Sequence, residues 1–149
     1  MFLPLQVSSD TQIKLHSDVD NIDAIRIAAA KAKEMALKLV VKIHPAETDV
    51  LAITEIVSMR ENFDFEIATI STNDLIRYAE EVITINSTVG LEALLYGKQV
   101  TCLGRCFYVN FDRARLLKYI HGYLTDGIDY FGEGNISARA ARNAHRNVH

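Results

Sequence analysis

Apolar residues at Ile22, Ile25, Ala29, Ala32, Ala36 and Leu39 recur at three- and four-residue steps. That spacing puts them on one face of a helix, with Asp18 or Asp20 placed to cap its start. Directly after it the period changes. Leu39-Val40-Val41-Lys42-Ile43 is a short β-branched run stopped by His44-Pro45, which predicts a buried strand opening into a loop. A helix over Glu47 to Arg60 follows, then a strand at Phe65 to Ile70, a helix at Thr72 to Glu80 and a strand at Glu81 to Ile85. The alternation continues with a helix from Val89 to Tyr96, a turn at Gly97-Lys98, a strand at Gln99 to Leu103 and a helix from Phe111 to His121. With Phe2 to Val7 as an opening strand, this predicts an α/β fold: a single Rossmann-like domain over 1–149, its doubly wound parallel sheet covered by helices on both faces. Thr125 to Asn135 reads as a loop, and 136–149 as a tail that is either helical or frayed.

Composition narrows the class without naming a function. The 149 residues are 49% hydrophobic and 23% charged, an ordinary mix for a globular domain with a real core. Sixteen basic against nineteen acidic residues give a formal charge of −3, which offers nucleic acid no broad electrostatic footprint. Any anion must be held locally. Cys102 and Cys106 are the two cysteines, with no other metal-ligand cluster beside them, so neither a disulfide scaffold nor a metal site is expected. The start Met1-Phe2-Leu3-Pro4-Leu5 is too short and too proline-broken for a signal peptide, and no run reaches the roughly 18–20 apolar residues of a membrane span. A cytoplasmic protein is expected, one that works from the surface if it works at a membrane.

An open parallel sheet binds ligands beyond the carboxyl ends of its strands, and the polar motifs fall there. Gln6 stands at the end of the first strand with Asp10 after it, His44 and Pro45 follow the second, and Asn86-Ser87-Thr88-Val89-Gly90-Leu91-Glu92 the fourth. Ser87 and Thr88 lie at a helix start, where unpaired N–H groups and two hydroxyls suit a phosphate; Gly90 leaves room for a ligand, and Glu92 can accept from a ribose. A helix cap at Ser87 completed by Glu92 explains the same residues without a ligand. His44 can donate a ring N–H to a phosphate or bond a neighbouring carbonyl in its loop. Asp10 can act as base, nucleophile or turn cap, and Gln6 is either a site residue or a satisfied core amide. Arg105 is either an extra phosphate contact or a solvated loop charge.

In combination, Leu3-Pro4-Leu5-Gln6 with Asp10, Lys42-Ile43-His44-Pro45, and Ile85 through Gly104 with Phe107-Tyr108 resemble the capsule polysaccharide biosynthesis family, in order from about Phe2 to Tyr108. The resemblance implies half of a GT-B glycosyltransferase, the donor-binding C-terminal domain of a retaining β-Kdo transferase that uses CMP-β-Kdo. It implies that His44 and Ser87 hold the CMP phosphate and that Glu92 contacts the cytidine ribose. Asp10 would then be the nucleophile at the reacting sugar, with Gln6 orienting it or the sugar. Beyond the CMP-sugar donor no cofactor is implied, and the acceptor would be a glycan or glycolipid at the inner face of the cytoplasmic membrane. The acceptor-side domain is expected from another part of a longer enzyme or from a partner chain; otherwise the chain is a nucleotide-binding or interaction domain without turnover. A dinucleotide-dependent oxidoreductase would need a Gly-x-Gly-x-x-Gly after the first strand, which is absent, and a related epimerase would prefer a UDP-sugar.

Overall fold

The computed structural model describes residues 1–8 and 18–123, the side chains of 121–123 excepted. The chain divides into two compact units, 1–109 and 110–149.

In the first unit five parallel strands form one sheet: β1 (Phe2–Pro4), β2 (Val40–Lys42), β3 (Glu66–Ile67), β4 (Glu81–Thr84) and β5 (Gln99–Cys102). Their order is β3-β2-β1-β4-β5. Phe2 is paired with Val40 on one side and Val82 on the other, so β1 is the centre from which the chain winds first one way and then the other. Helices α1 (Asn21–Glu34), α2 (Val50–Ser58), α3 (Thr72–Tyr78) and α4 (Val89–Leu95) make the crossovers, and a 3₁₀ turn at Met59–Glu61 extends α2.

The period-two alternation of the strands assigns each side chain to a face. Leu3, Leu5, Val41, Ile83 and Ile85 pack with Ala24, Ile25, Ala28 and Ala32 of α1 and Ile56 of α2. Phe2 and Val82 point the other way and meet Leu75 and Ile76 of α3 and Ala93 of α4. Both faces are therefore covered, as the sequence pattern predicts.

Asp20, one of the two expected caps, accepts from the Asp23 N–H at 2.9 Å and starts α1. The helix ends sooner than the spacing predicts. Ala36 has φ 53°, and Leu37 N bonds Ala32 O at 2.9 Å while Ala36 N bonds Lys33 O at 3.2 Å. This reversal closes the helix with a left-handed residue, usually glycine, and carries Ala36 and Leu39 off the helical face. Asp49 caps α2, its carboxylate accepting from Leu51 N at 2.9 Å and Ala52 N at 3.3 Å.

The second unit contains α5 (Arg113–Tyr123), capped by Asp112, which accepts from Arg115 N at 2.7 Å. Phe111 packs against Tyr119 with ring centroids 5.6 Å apart, and the Arg115 guanidinium lies over Phe111. Among the described residues, no helix is long and apolar enough to cross a membrane.

Candidate functional site at the carboxyl ends of the strands

The winding direction reverses between β1 and β4, and the loops leaving those two strands separate there. Gln6 follows β1 and is 9% exposed, and its Nε2 donates to Oδ1 of Asn86 beyond β4 at 2.6 Å. The Gln6 backbone is clamped as well. Asn21, at the first turn of α1, accepts from Gln6 N at 3.1 Å and donates from Nδ2 to Gln6 O at 2.7 Å. A buried polar side chain thus substitutes for a strand neighbour where the ladder has ended. Gln6 Oε1 is buried and has no hydrogen-bond partner among the described residues, the kind of group that calls for an explanation at a ligand site. Asp10 lies outside the described residues.

The loop after β2 joins this rim through Glu47. One of its oxygens accepts from Ser8 N at 2.6 Å and the other from Asp49 N at 2.9 Å. These backbone N–H groups, Ser8 foremost, hold the Glu47 carboxyl below its ordinary pKa. His44 and Pro45 are exposed at the tip of the same loop. His44 Nδ1 accepts from Ala46 N at 3.1 Å. A neutral imidazole bonded this way carries its proton on Nε2, leaving that N–H to face a ligand. Among the described residues the ring makes no hydrogen bond to a neighbouring carbonyl.

The loop after β4 differs in one respect from its sequence reading. The N–H groups expected to be unpaired are largely taken inside the loop: Ser87 N by Thr84 Oγ1 at 3.2 Å, Val89 N by Ser87 Oγ at 3.2 Å and Gly90 N by Ser87 O at 3.1 Å. Ser87 accepts through Oγ and so retains its own O–H as a donor; Thr88 is exposed and makes no side-chain cap. An anion here would be met chiefly by hydroxyls. Helix α4 is seven residues long, and Glu92 does not complete a capping box at its start. The Glu92 carboxylate is half-buried, receives no hydrogen bond from the described residues, and has its pKa raised by burial.

Gly90 is small for a reason the sequence does not reveal. A Cβ at this position would lie 2.4 Å from the Tyr108 hydroxyl oxygen and 2.9 Å from two of its ring carbons. Tyr108, 1% exposed, fills the space the sequence reading left for a ligand, and its hydroxyl donates to Ser87 O. Arg105 is exposed beyond β5. The strand-end loops thus bring together Gln6, Asn86, Ser8 and Glu47, with His44 on the Glu47 loop and Ser87 next to Asn86. Asn21 and Glu47 escaped the sequence reading, and Asn86 stood in the motif after the fourth strand without a role, because what they do depends on partners 15, 39 and 80 residues away. Among the described residues, no group of three or more His, Cys, Asp or Glu is placed to hold a metal ion.

Comparison with known proteins agrees with this architecture. Against the Thermosulfurimonas dismutans KpsC beta Kdo 2,7 transferase structure the chain gives a TM-score of 0.57 at 32% identity, over 74% of this chain and 34% of that one. The beta Kdo 2,4 transferase structure of the same KpsC shares the fold, with a TM-score of 0.50 at 23% identity over 72% of this chain and 34% of that one. Protein FixF of Sinorhizobium fredii is 39% identical over 115 residues, 72% of this chain and 27% of FixF. The Escherichia coli capsule polysaccharide export protein KpsS is 29% identical over 115 residues, 70% of this chain and 29% of KpsS. The chain therefore spans under a third of the length of these two curated relatives. Residues 1–111 match the family model described as capsule polysaccharide biosynthesis protein. With this match over most of its length, on a sheet of the order and crevice described above, the chain belongs to the capsule polysaccharide biosynthesis protein family.

Proposed function

We propose that this chain is the donor-binding domain of a GT-B glycosyltransferase that takes CMP-Kdo and transfers Kdo to a glycan or glycolipid in capsule or surface polysaccharide synthesis. The observation that carries the reading is the junction at the strand ends, where the loops after β1, β2 and β4 are tied by Gln6–Asn86 and Ser8–Glu47, each at 2.6 Å. Such a crevice at the reversal of strand order is where open α/β sheets take nucleotides. In this reading the His44 Nε2–H and the Ser87 and Thr88 hydroxyls donate to the CMP phosphate. Pro45 stiffens the loop that presents His44. Gly90 acts through Tyr108, whose close packing holds the Ser87 loop.

Glu92 accepts from the ribose hydroxyls, and a carboxylate whose pKa is raised by burial is favoured in its charged form by such donors. Gln6 orients the sugar or Asp10, and Asp10 attacks the anomeric carbon to form a glycosyl-enzyme intermediate. The acceptor-side half of the cleft comes from elsewhere in a longer enzyme or from a partner chain, working at the cytoplasmic face of the membrane. Positioning supplies much of an enzyme's rate, so the chain alone should transfer sugar poorly.

Calorimetric titration of the purified chain with CMP, with UMP, UDP and NAD as controls, tests the reading. Selective CMP binding is expected. Equal affinity for CMP and UMP, or a preference for UDP, would overturn the choice of donor. CMP binding without transfer, even with an acceptor-side domain supplied, would favour a nucleotide-binding module without turnover.

A further inference from the structure

His44 is presented by a β-turn that closes on Glu47. Glu47 N donates to His44 O at 2.9 Å, with Pro45 at the turn position where its fixed φ is favoured, and Ala46 N donates to His44 Nδ1 at 3.1 Å. Backbone and ring are thus held within one turn, but His44, Pro45 and Ala46 are all exposed and give that turn little packing of its own. The Glu47 side chain supplies the missing anchor. Its Oε2 accepts from Ser8 N beyond β1 at 2.6 Å, and its Oε1 accepts from Asp49 N at 2.9 Å. Asp49 in turn caps α2 through Leu51 N and Ala52 N. One carboxylate therefore ties the His44 turn to the β1 loop on one side and to the start of α2 on the other.

We propose that Glu47 is the positioning residue of the phosphate subsite: without touching the ligand, it straps the His44 turn in place and so fixes the direction in which the ring offers its Nε2–H. This role rests on the reading of His44 as a donor to the CMP phosphate. Contact between Glu47 itself and the phosphate is disfavoured, because two anions would repel. Each Glu47 oxygen already accepts from a backbone N–H, which suits the group to hold a loop and not to move a proton. With the strap removed, residues 44–47 would be ordered only as the ligand arrives. The backbone entropy lost in that ordering would be subtracted from the affinity.

The test uses the purified 149-residue chain, titrated with CMP and with cytidine, which keeps base and ribose but has no phosphate. Glu47→Ala should weaken CMP binding about tenfold. Glu47→Gln, with one acceptor oxygen for two N–H groups, should weaken it less, and carries the test if Glu47→Ala fails to fold. Cytidine binding should be unchanged in both. The double variant Glu47→Ala with His44→Ala should bind CMP no more weakly than His44→Ala alone, since Glu47 acts through that ring. Amide exchange followed by NMR should show the Ala46 N–H, bonded to His44 Nδ1, exchanging severalfold faster once Glu47 is replaced. Equal losses for CMP and cytidine, additive losses in the double variant, or an unchanged Ala46 exchange rate would each overturn the role of Glu47. If Ala46 exchange rises but His44→Ala binds CMP as wild type does, the strap exists and the phosphate reading of His44 is what fails, taking the proposal with it.

Discussion

Gln6 Nε2 donates to Asn86 Oδ1 at 2.6 Å across the one place in the sheet where neighbouring loops diverge, joining residues 80 positions apart. Replacing Asn86 by Ala leaves the buried Gln6 amide without this acceptor. A buried donor so stranded costs about 1–3 kcal/mol, and a loss of that size is expected in urea unfolding of Asn86→Ala. A double-mutant cycle with Gln6→Ala should show non-additivity, whereas additive losses would mean the pair contributes nothing as a pair.

The packing of Tyr108 over Gly90 separates a structural from a ligand-contacting role for that glycine. Gly90→Ala must displace the phenol ring, because the new Cβ would lie 2.4 Å from its oxygen. Overpacking of this kind costs about 1–3 kcal/mol. The expected outcome is a lowered Tm, with CMP affinity affected only as far as the Ser87 loop moves. An unchanged Tm with abolished binding would restore the ligand explanation.

Two helix ends invite opposite substitutions. Ala36, with φ 53°, and Gly97, with φ 70°, occupy the same position in matching reversals, since Gly97 N bonds Leu94 O and Lys98 N bonds Ala93 O, each at 3.0 Å. None of the described residues lies within 4 Å of a Cβ at Gly97, so the cost of a side chain there is one of backbone alone. Chemical denaturation should show Ala36→Gly stabilising by about 0.5–1 kcal/mol and Gly97→Ala destabilising by about 1 kcal/mol.

At the opposite end of the sheet, Glu81 at the start of β4 is buried against Lys31 of α1, and the Thr101 hydroxyl donates to it at 2.5 Å. Burial by itself would raise the Glu81 pKa, but the Lys31 ammonium and the Thr101 hydroxyl outweigh it and hold the carboxyl below its ordinary value. A carboxylate with a lowered folded-state pKa stabilises the fold above its unfolded pKa, and the contribution fades as pH falls through the folded value. Lys31→Met should cost about 2–3 kcal/mol near pH 7, less than for a fully buried pair because Lys31 is partly in water. The difference from wild type should shrink as Glu81 protonates, which thermal unfolding between neutral and acidic pH will report. A difference independent of pH would place the loss in packing, not charge.

For the nucleotide site, His44→Ala and Ser87→Ala should each weaken CMP binding by about 1.5–3 kcal/mol, the range for hydrogen bonds to a charged group. Circular dichroism should be unaltered. With an acceptor-side domain supplied, Asp10→Ala should abolish transfer and keep CMP affinity. Undiminished binding in both His44→Ala and Ser87→Ala would remove them from the phosphate.

The sequence by itself determined the alternation of strands and helices and the doubly wound class, because the periods of 2 and 3.6 are local properties of the backbone. It also placed the polar motifs at strand ends. The extent of α1 was not legible, since Ala36 continues the apolar spacing and only the backbone reversal at that residue ends the helix. The site divides along the same line. Gln6, His44 and Ser87 were visible as polar residues where buried strands stop, but a hydrogen bond has no signature in one segment when its partner lies in another. Only the tertiary structure could decide that Asn21 clamps Gln6, that Glu47 reaches Ser8, and that Gly90 is small because Tyr108 needs the space.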